Sequence, residues 1–339
     1  MILVDSLYIN NFGGFLLFRY LVDELEKNNI EAFYIIDFRC GNKFSDIPLE
    51  RKCVMHASML TRHKWYKVNG KRFNKVLCFG NVPPSIRLKA EVYTYFHNIN
   101  LLNIPASEPF MRKVSSKLKR TLFKILKKNT DYWIVQTENT RDELMKHLNE
   151  PIDKLKILPF YNIDDIEVGL VDCQNRAGYI YASRYTQQKN FEFVIRSWIE
   201  LAKRNIRPEL HLTLDYQPQK LRDLISIATE RYHTRIINHG PMSQQNLFKL
   251  YRQMRVLVYA STNESLGLCI IEAIENGCDV IAPDLPYVHS ICKPSVVFKI
   301  QNVASFVDAI VTYEYETLRT KIKIENMIDK LLVIFKSVV

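Results

Sequence analysis

The run VLVYASTNESLGLCIIEAIENGCDVIA, from Val256 to Ala282, holds a strand, a loop, a helix and a second strand in succession. Val256 to Tyr259 is a short apolar run, the pattern of a strand buried on both faces. Ser261 to Gly267 is polar and ends on glycine, and from Leu266 to Glu275 apolar residues recur at helical spacing. Val280 to Ala282 is then a further apolar run. A strand, a helix and a second strand of this kind form a βαβ unit, so the fold class is α/β with a parallel sheet.

The same alternation extends outward in both directions. Strands are expected at Gly178 to Ala182, Leu210 to Leu214 and Arg235 to Asn238, with helices at Phe191 to Arg204, Pro218 to Arg231 and Gln244 to Met254. The first half repeats the plan, with strands at Ile2 to Val4, Ala32 to Ile36, Lys75 to Phe79, Val92 to Phe96 and Tyr132 to Val135. Phe15 to Glu26 and Thr140 to Leu148 are its expected helices. A chain of 339 residues is comfortable for two such domains. Leu158 to Arg176, with Pro159, Asn162 and Gly169, has little periodicity and reads as the linker. The expected division is 1–160, 161–317 and a C-terminal helix, 318–339, packing back towards the first domain.

The charge balance is 47 Lys and Arg against 36 Asp and Glu, a formal +11. Much of the excess sits between Met111 and Lys128, which holds Arg112, Lys113, Lys117, Lys119, Arg120, Lys124, Lys127 and Lys128 and no acid. Met111, Val114, Leu118, Leu122 and Ile125 recur there at helical spacing. That combination suits a helix lying on an anionic membrane surface, and equally one whose apolar residues pack on the sheet. Arg62 to Lys67, with Trp65 and Tyr66, offers more cations and interfacial aromatics. The seven cysteines, at 40, 53, 78, 173, 269, 278 and 292, lack metal-ligand spacing and read as reduced thiols. The start of the chain lacks the marks of a signal peptide, and no apolar run approaches the length of a membrane span. The expected location is cytoplasmic, peripheral at the inner face of the membrane.

Chemistry concentrates where strands end. Glu264 and Glu272 stand eight residues apart across the loop and the helix that follows Val256 to Tyr259. The backbone of Ser265, Leu266, Gly267 and Leu268 would present amide hydrogens to a diphosphate, and glycine allows close approach. Glu264 could accept from sugar hydroxyls and Glu272 from ribose hydroxyls. The spacing alone also suits a plain strand-to-helix turn with solvated acids. Arg184 leaves the sheet at the end of Gly178 to Ala182, and Lys189 opens the next helix, so both cations could meet one pair of phosphates.

Taken together, these residues resemble the retaining GT-B glycosyltransferases of family four, also called group one. The resemblance runs from Ile180 to about Ile291. It rests on Arg184-x4-Lys189 after the first strand of the second domain, Glu264-x7-Glu272 around Gly267, Ile236 to Gly240, Leu250-Tyr251, Val256 to Ser261, and Asn276 to Ala282. In the first half it is thinner. Gly13 and Gly14 follow the first strand where the family has a glycine-bearing loop, and His97 ends a strand where similar proteins face a histidine to the donor sugar. Leu266 and Cys269 replace the family's usual aromatic residue and proline, and Ser290 stands where many members have a third glutamate.

What the resemblance implies is a GT-B fold, two Rossmann-like domains with parallel sheets facing across a cleft. It also implies a metal-independent, retaining hexosyltransferase using a nucleotide diphosphate sugar, UDP-linked by default. The catalytic set would be His97, Arg184, Lys189 and Glu264, and the donor-binding set Gly13, Gly14, Arg184, Lys189, Ser265 to Leu268, Glu264 and Glu272. The acceptor would be a glycan or a lipid-linked glycan of a bacterial surface polysaccharide, with O-antigen, capsule and lipopolysaccharide as examples. No Asp-x-Asp occurs in the chain, and no cofactor or metal is expected. Two other readings stay open. A GT-B epimerase of a nucleotide sugar is set apart from transfer because transfer releases free nucleotide only when an acceptor is supplied, and a nucleic-acid-binding protein would use the basic excess while leaving the second half without a purpose.

Overall fold

The structure, a computed structural model, describes residues 1–10, 12–102, 120–162, 176–315 and 319–336. Of the expected basic surface, Arg112, Lys113, Lys117 and Lys119 lie outside the described residues, as does Cys173; the six described cysteines are all free thiols. The chain divides into two units, Met1–Asn162 with Glu325–Val339, and Ile163–Ile324.

The first unit is built on seven parallel strands. In chain order they are β1 (Ile2–Asp5), β2 (Ala32–Asp37), β3 (Lys52–Met55), β4 (Lys75–Cys78), β5 (Glu91–Phe96), β6 (Tyr132–Val135) and β7 (Leu155–Ile157), arranged β3-β2-β1-β4-β5-β6-β7. Their helices are α1 (Phe12–Lys27), α2 (Met59–Asn69), the described helical residues 120–126 (α3) and α4 (Glu138–Leu148). Thr137 caps α4 by accepting from the Thr140 amide, and Asn149 ends it in the left-handed region. β1 and β2 are buried at every position, which is why they read as unbroken apolar runs.

Four findings correct the expectations for this unit. β3 and β7 were not expected: β3 is only partly buried and carries Lys52, and β7 is three residues long, so neither shows a clear apolar period. α1 starts at Phe12, so Gly13 and Gly14 lie in its first turn and not in a preceding loop. Arg62 is not a surface cation. Only 1% exposed, it donates from Nε to Asp5 Oδ2 at 2.6 Å and from Nη1 to the Pro83 carbonyl at 2.8 Å, while the Tyr66 hydroxyl donates to the same Asp5 oxygen at 2.5 Å. Trp65 stacks on Phe33 with ring centres 5.8 Å apart. The aromatic face of α2 therefore belongs to the core, and an ion pair shields the charge it buries. The tail also differs from the expected single helix. Lys321–Ile322 forms a short antiparallel strand in the second unit, and the helix spans only Ile328–Lys336 in the first.

The second unit has six parallel strands, β8 (Tyr179–Tyr181), β9 (Leu210–Leu212), β10 (Ile236–Asn238), β11 (Val256–Val258), β12 (Asp279–Pro283) and β14 (Val296–Phe298), in the order β10-β9-β8-β11-β12-β14. Its helices include α5 (Phe191–Lys203), α6 (Gln219–Ser226), α7 (Gln244–Gln253), α8 (Leu268–Glu275), α9 (Pro286–Ile291) and α10 (Val303–Tyr315). Cys292–Lys293 (β13) pairs with Lys321–Ile322 (β15), and α11 is Ile328–Lys336. Helix α6 continues as a π-turn, Ile227–Arg231, which explains the long helical reading from Pro218 to Arg231. The chain builds outward from β8 to β9 and β10, then crosses to β11 on its other side. That reversal falls between β8 and β11, and the carboxyl end of a sheet at such a reversal is where open α/β folds bind ligands. The first sheet has the same reversal between β1 and β4.

Candidate functional site

In the second unit the two motif-bearing loops leave neighbouring strands, because β8 and β11 pair in parallel. The loops are tied to each other. The Thr262 amide donates to the Gln188 carbonyl at 3.0 Å, and the Gln188 side-chain amide donates to the Asn263 carbonyl. Lys189 thereby reaches Glu264, with Nζ 2.5 Å from Oε1 and 2.7 Å from the Tyr259 hydroxyl. Ser261 Oγ donates to the same Glu264 oxygen at 2.6 Å, and Tyr259 donates to it at 3.0 Å. The Lys189 and Glu264 side chains are each 16% exposed, so this pair is shielded but reachable. Under it lie the buried rings of Tyr181, Tyr259 and Tyr287; the Tyr287 hydroxyl donates to the Ser261 carbonyl at 2.7 Å and fixes the loop from below.

Helix α8 begins beside this pair. Gly267 caps it at φ 64°, in the left-handed region where a side chain is strained, and a Cβ there would also meet Ile291 at 2.8 Å. The helix starts two residues later than the sequence pattern suggests, so Leu266 belongs to the loop. Leu266 and Ser265 are both buried. Glu272, one turn in, is 8% exposed and accepts from Gln244 Nε2 at 2.9 Å. Burial pushes the Glu272 carboxyl up to about 7, against the lowering effect of the Gln244 hydrogen bond. Cys269 lies between these groups and feels the charges of Glu272, Lys189 and Glu264; burial first, then the two acids, push its thiol up to about 12. Lys189, Glu264 and Glu272 thus share one neighbourhood.

Arg184 stands at the same sheet edge with a different partner. Its guanidinium donates to Asp215 Oδ2, at 2.7 Å from Nε, and Asp215 follows β9. Burial works against the Asp215 anion, but the Arg184 hydrogen bond and charge hold it below the usual carboxylate range. Asp215, Gln188, Tyr259 and Gln244 were not singled out in the sequence. Asp215 carried a usable signal, since it directly follows an apolar strand at the end where ligands bind. The others did not, because a glutamine or tyrosine carries no mark of which residue it will meet.

In the first unit the structure brings Gly14 and His97 together: a Cβ on Gly14 would lie 3.2 Å from His97 Cε1. The His97 amide donates to Asn81 Oδ1 at 2.8 Å. Its Nε2 lies 3.2 Å from both the Asn81 side-chain amide and the Phe79 carbonyl, an acceptor that suits an Nε2–H tautomer. Burial pushes the imidazole down to about 4, so His97 is neutral at physiological pH. Gly13 takes its place in the first turn of α1.

Of the basic surface, Arg120 and Lys124 are described. Arg120 is half-buried and lines, with Leu101, Leu102, Phe123, Lys124, His147 and Leu148, a cavity of about 70 Å³. Phe123 and Leu126 are the buried apolar residues of α3, while Leu122 and Ile125 are 39% and 54% exposed.

Comparison with known proteins agrees with the second-unit geometry. Residues 176–313 match the family described as glycosyl transferases group 1. The GtfA subunit of the UDP-N-acetylglucosamine–peptide N-acetylglucosaminyltransferase of Streptococcus agalactiae is 27% identical over 158 residues, 45% of this chain. The match spans 29% of that relative, under a third of its length. Among solved structures, Anabaena HepE in complex with UDP and glucose superposes with a TM-score of 0.68 at 14% identity, covering 93% of this chain and 90% of that one. S. aureus TarM, as a mutant in complex with Fondaparinux, alpha-GlcNAc-glycerol and UDP, gives 0.61 at 16% identity, covering 82% of this chain and 58% of that one. At such identities the structural likeness establishes the fold, which is GT-B, while residues 176–313, within the second unit, are similar to group 1 glycosyl transferases.

Proposed function

We propose that this chain is a retaining glycosyltransferase that takes a hexose from a UDP-sugar and passes it to a glycan or lipid-linked acceptor in the making of a bacterial surface polysaccharide. The observation that carries the reading is the Lys189–Glu264 pair, held at the sheet reversal beside the first turn of α8. A diphosphate placed there would meet Lys189, the amide hydrogens of that turn and, once released from Asp215, Arg184. These groups neutralise the charge that grows on the phosphate as the sugar departs, with no metal required in the scheme. Glu264 then accepts from sugar hydroxyls and Glu272 from the ribose.

The reaction we favour is a front-face displacement. The bond from the anomeric carbon to the phosphate oxygen breaks, the acceptor oxygen bonds to the same face, and the acceptor proton passes to the departing phosphate. His97 in its neutral form can take part in hydrogen bonds and supplies no positive charge. UDP is supported by the relative named for UDP-N-acetylglucosamine and by the UDP complexes of two proteins of the same fold.

The membrane part of the proposal draws on α3. Leu122 and Ile125 stand exposed beside Lys124 and Lys128, where burial would be expected of a helix that only packs on a sheet. Among the described residues no helix is long and apolar enough to cross a membrane. The decisive assay is UDP release from a panel of UDP-sugars with and without glycan acceptors, with the anomeric configuration of the product read by NMR. Acceptor-dependent release and a retained configuration support the proposal; release without acceptor, or none with any donor, defeats it.

A further inference from the structure

Glu272 is a buried carboxylate with little to stabilise its charge. Among the described residues, the Gln244 side-chain amide is the group that hydrogen-bonds it, and it occupies Oε1 alone. An ionised carboxylate offers about four acceptor positions, so Oε2 and part of Oε1 remain for a ligand. Gln244 is well placed to hold the acid still. It is the first residue of α7, whose start is fixed by Ser243 accepting from the Asn246 amide at 3.3 Å. Helix α7 follows β10, at the far edge of the sheet, so Gln244 and Glu272 approach from separate elements.

An acid that must receive two neighbouring hydroxyls needs its carboxyl plane fixed, since a freely rotating carboxylate spreads its acceptor directions. We propose that Gln244 is a positioning residue, which by holding one oxygen of Glu272 aims the other at the vicinal hydroxyls of a ribose and makes the site select ribonucleotides over nucleotides that lack them. This rests on the reading that Glu272 grips the ribose of a nucleotide donor. It adds a residue whose effect is felt through that acid and not by contact with the reacting atoms.

The test is a ligand cycle on the full chain at about pH 8, where Glu272 is ionised, titrating UDP and 2′,3′-dideoxy-UDP into wild type and Gln244→Leu by calorimetry. Loss of the fixed orientation of the Glu272 carboxylate should weaken UDP about tenfold. The dideoxy analogue, which cannot use Glu272, should change by less than about twofold. Gln244→Ala, read in the same way, serves if the leucine variant folds poorly. An equal loss for both ligands shows a merely structural contact and overturns the inference, as does an unchanged UDP affinity. A wild-type chain that binds the dideoxy analogue as tightly as UDP removes the ribose role of Glu272, and one that binds neither removes the nucleotide reading beneath it.

Discussion

Lys189 Nζ lies 2.5 Å from Glu264 Oε1, although 75 residues separate them in the chain. Their meeting depends on two strands, β8 and β11, being neighbours, and on the Thr262 to Gln188 hydrogen bond that ties the following loops.

If this pair faces the leaving phosphate, replacing Lys189 by Ala should lower kcat for UDP release about a hundredfold or more. Glu264→Gln should also cost activity, and the double variant should fall well short of the product of the two losses, because the residues act on one site. Steady-state UDP release from the three variants checks this. Near-normal rates in Lys189→Ala would remove the lysine from the chemistry.

Glu272 should give the chain a characteristic pH dependence. Its acid is raised from the ordinary 4.5 to about 7, so the native state keeps a proton that the unfolded chain releases. The stability this group supplies is complete below the ordinary value and is lost as pH rises towards 7. Glu272→Gln cannot ionise and escapes that loss. Its stability relative to wild type should therefore increase between about pH 5 and pH 8, by on the order of 1–3 kcal/mol. Tyr251 and Cys269, the other titratable groups that sense Glu272, are pushed up by burial and stay neutral throughout. Urea unfolding of both proteins at the two pH values measures the difference, and a constant offset would contradict it.

The buried Arg62–Asp5 pair predicts a large effect far from the motif-bearing loops. Arg62→Ala leaves Asp5 charged and partly unmatched in the core and frees the Pro83 and Val82 carbonyls. The expected loss is about 3–5 kcal/mol, read from the urea midpoint. A loss below about 1 kcal/mol would mean that water replaces the guanidinium.

Membrane contact through α3 predicts that the chain binds anionic vesicles and that the binding weakens as salt rises. Changing Leu122 and Ile125 together to Glu should reduce it at least fivefold, roughly, by removing apolar insertion and adding repulsion. Cosedimentation at low and high ionic strength measures this; an unchanged double variant would move the contact elsewhere.

The alternation of apolar runs with amphipathic stretches fixed the α/β class, and most expected strands and helices lie within a few residues of those observed. Pattern is informative there because strands buried on both faces must be apolar throughout. The same rule failed for β3 and β7, short strands with polar or half-exposed positions, and for the tail, where a strand precedes the helix. Arg62 shows the opposite limit. Its sequence surroundings are those of a basic surface, and only the carboxylate of Asp5, 57 residues away, gives it a place in the core.

For the candidate site, sequence by itself supplied Arg184, Lys189, Glu264, Gly267 and Glu272, since loop chemistry and glycine conformation are local properties. Which of them touch was decided by the tertiary structure. Strand order made Lys189 the partner of Glu264, gave Arg184 to Asp215 and brought Gln244 to Glu272. The physical reason is that a hydrogen bond depends on a few ångströms of separation, and separations between distant residues are set by how sheets and helices pack, which no local spacing records.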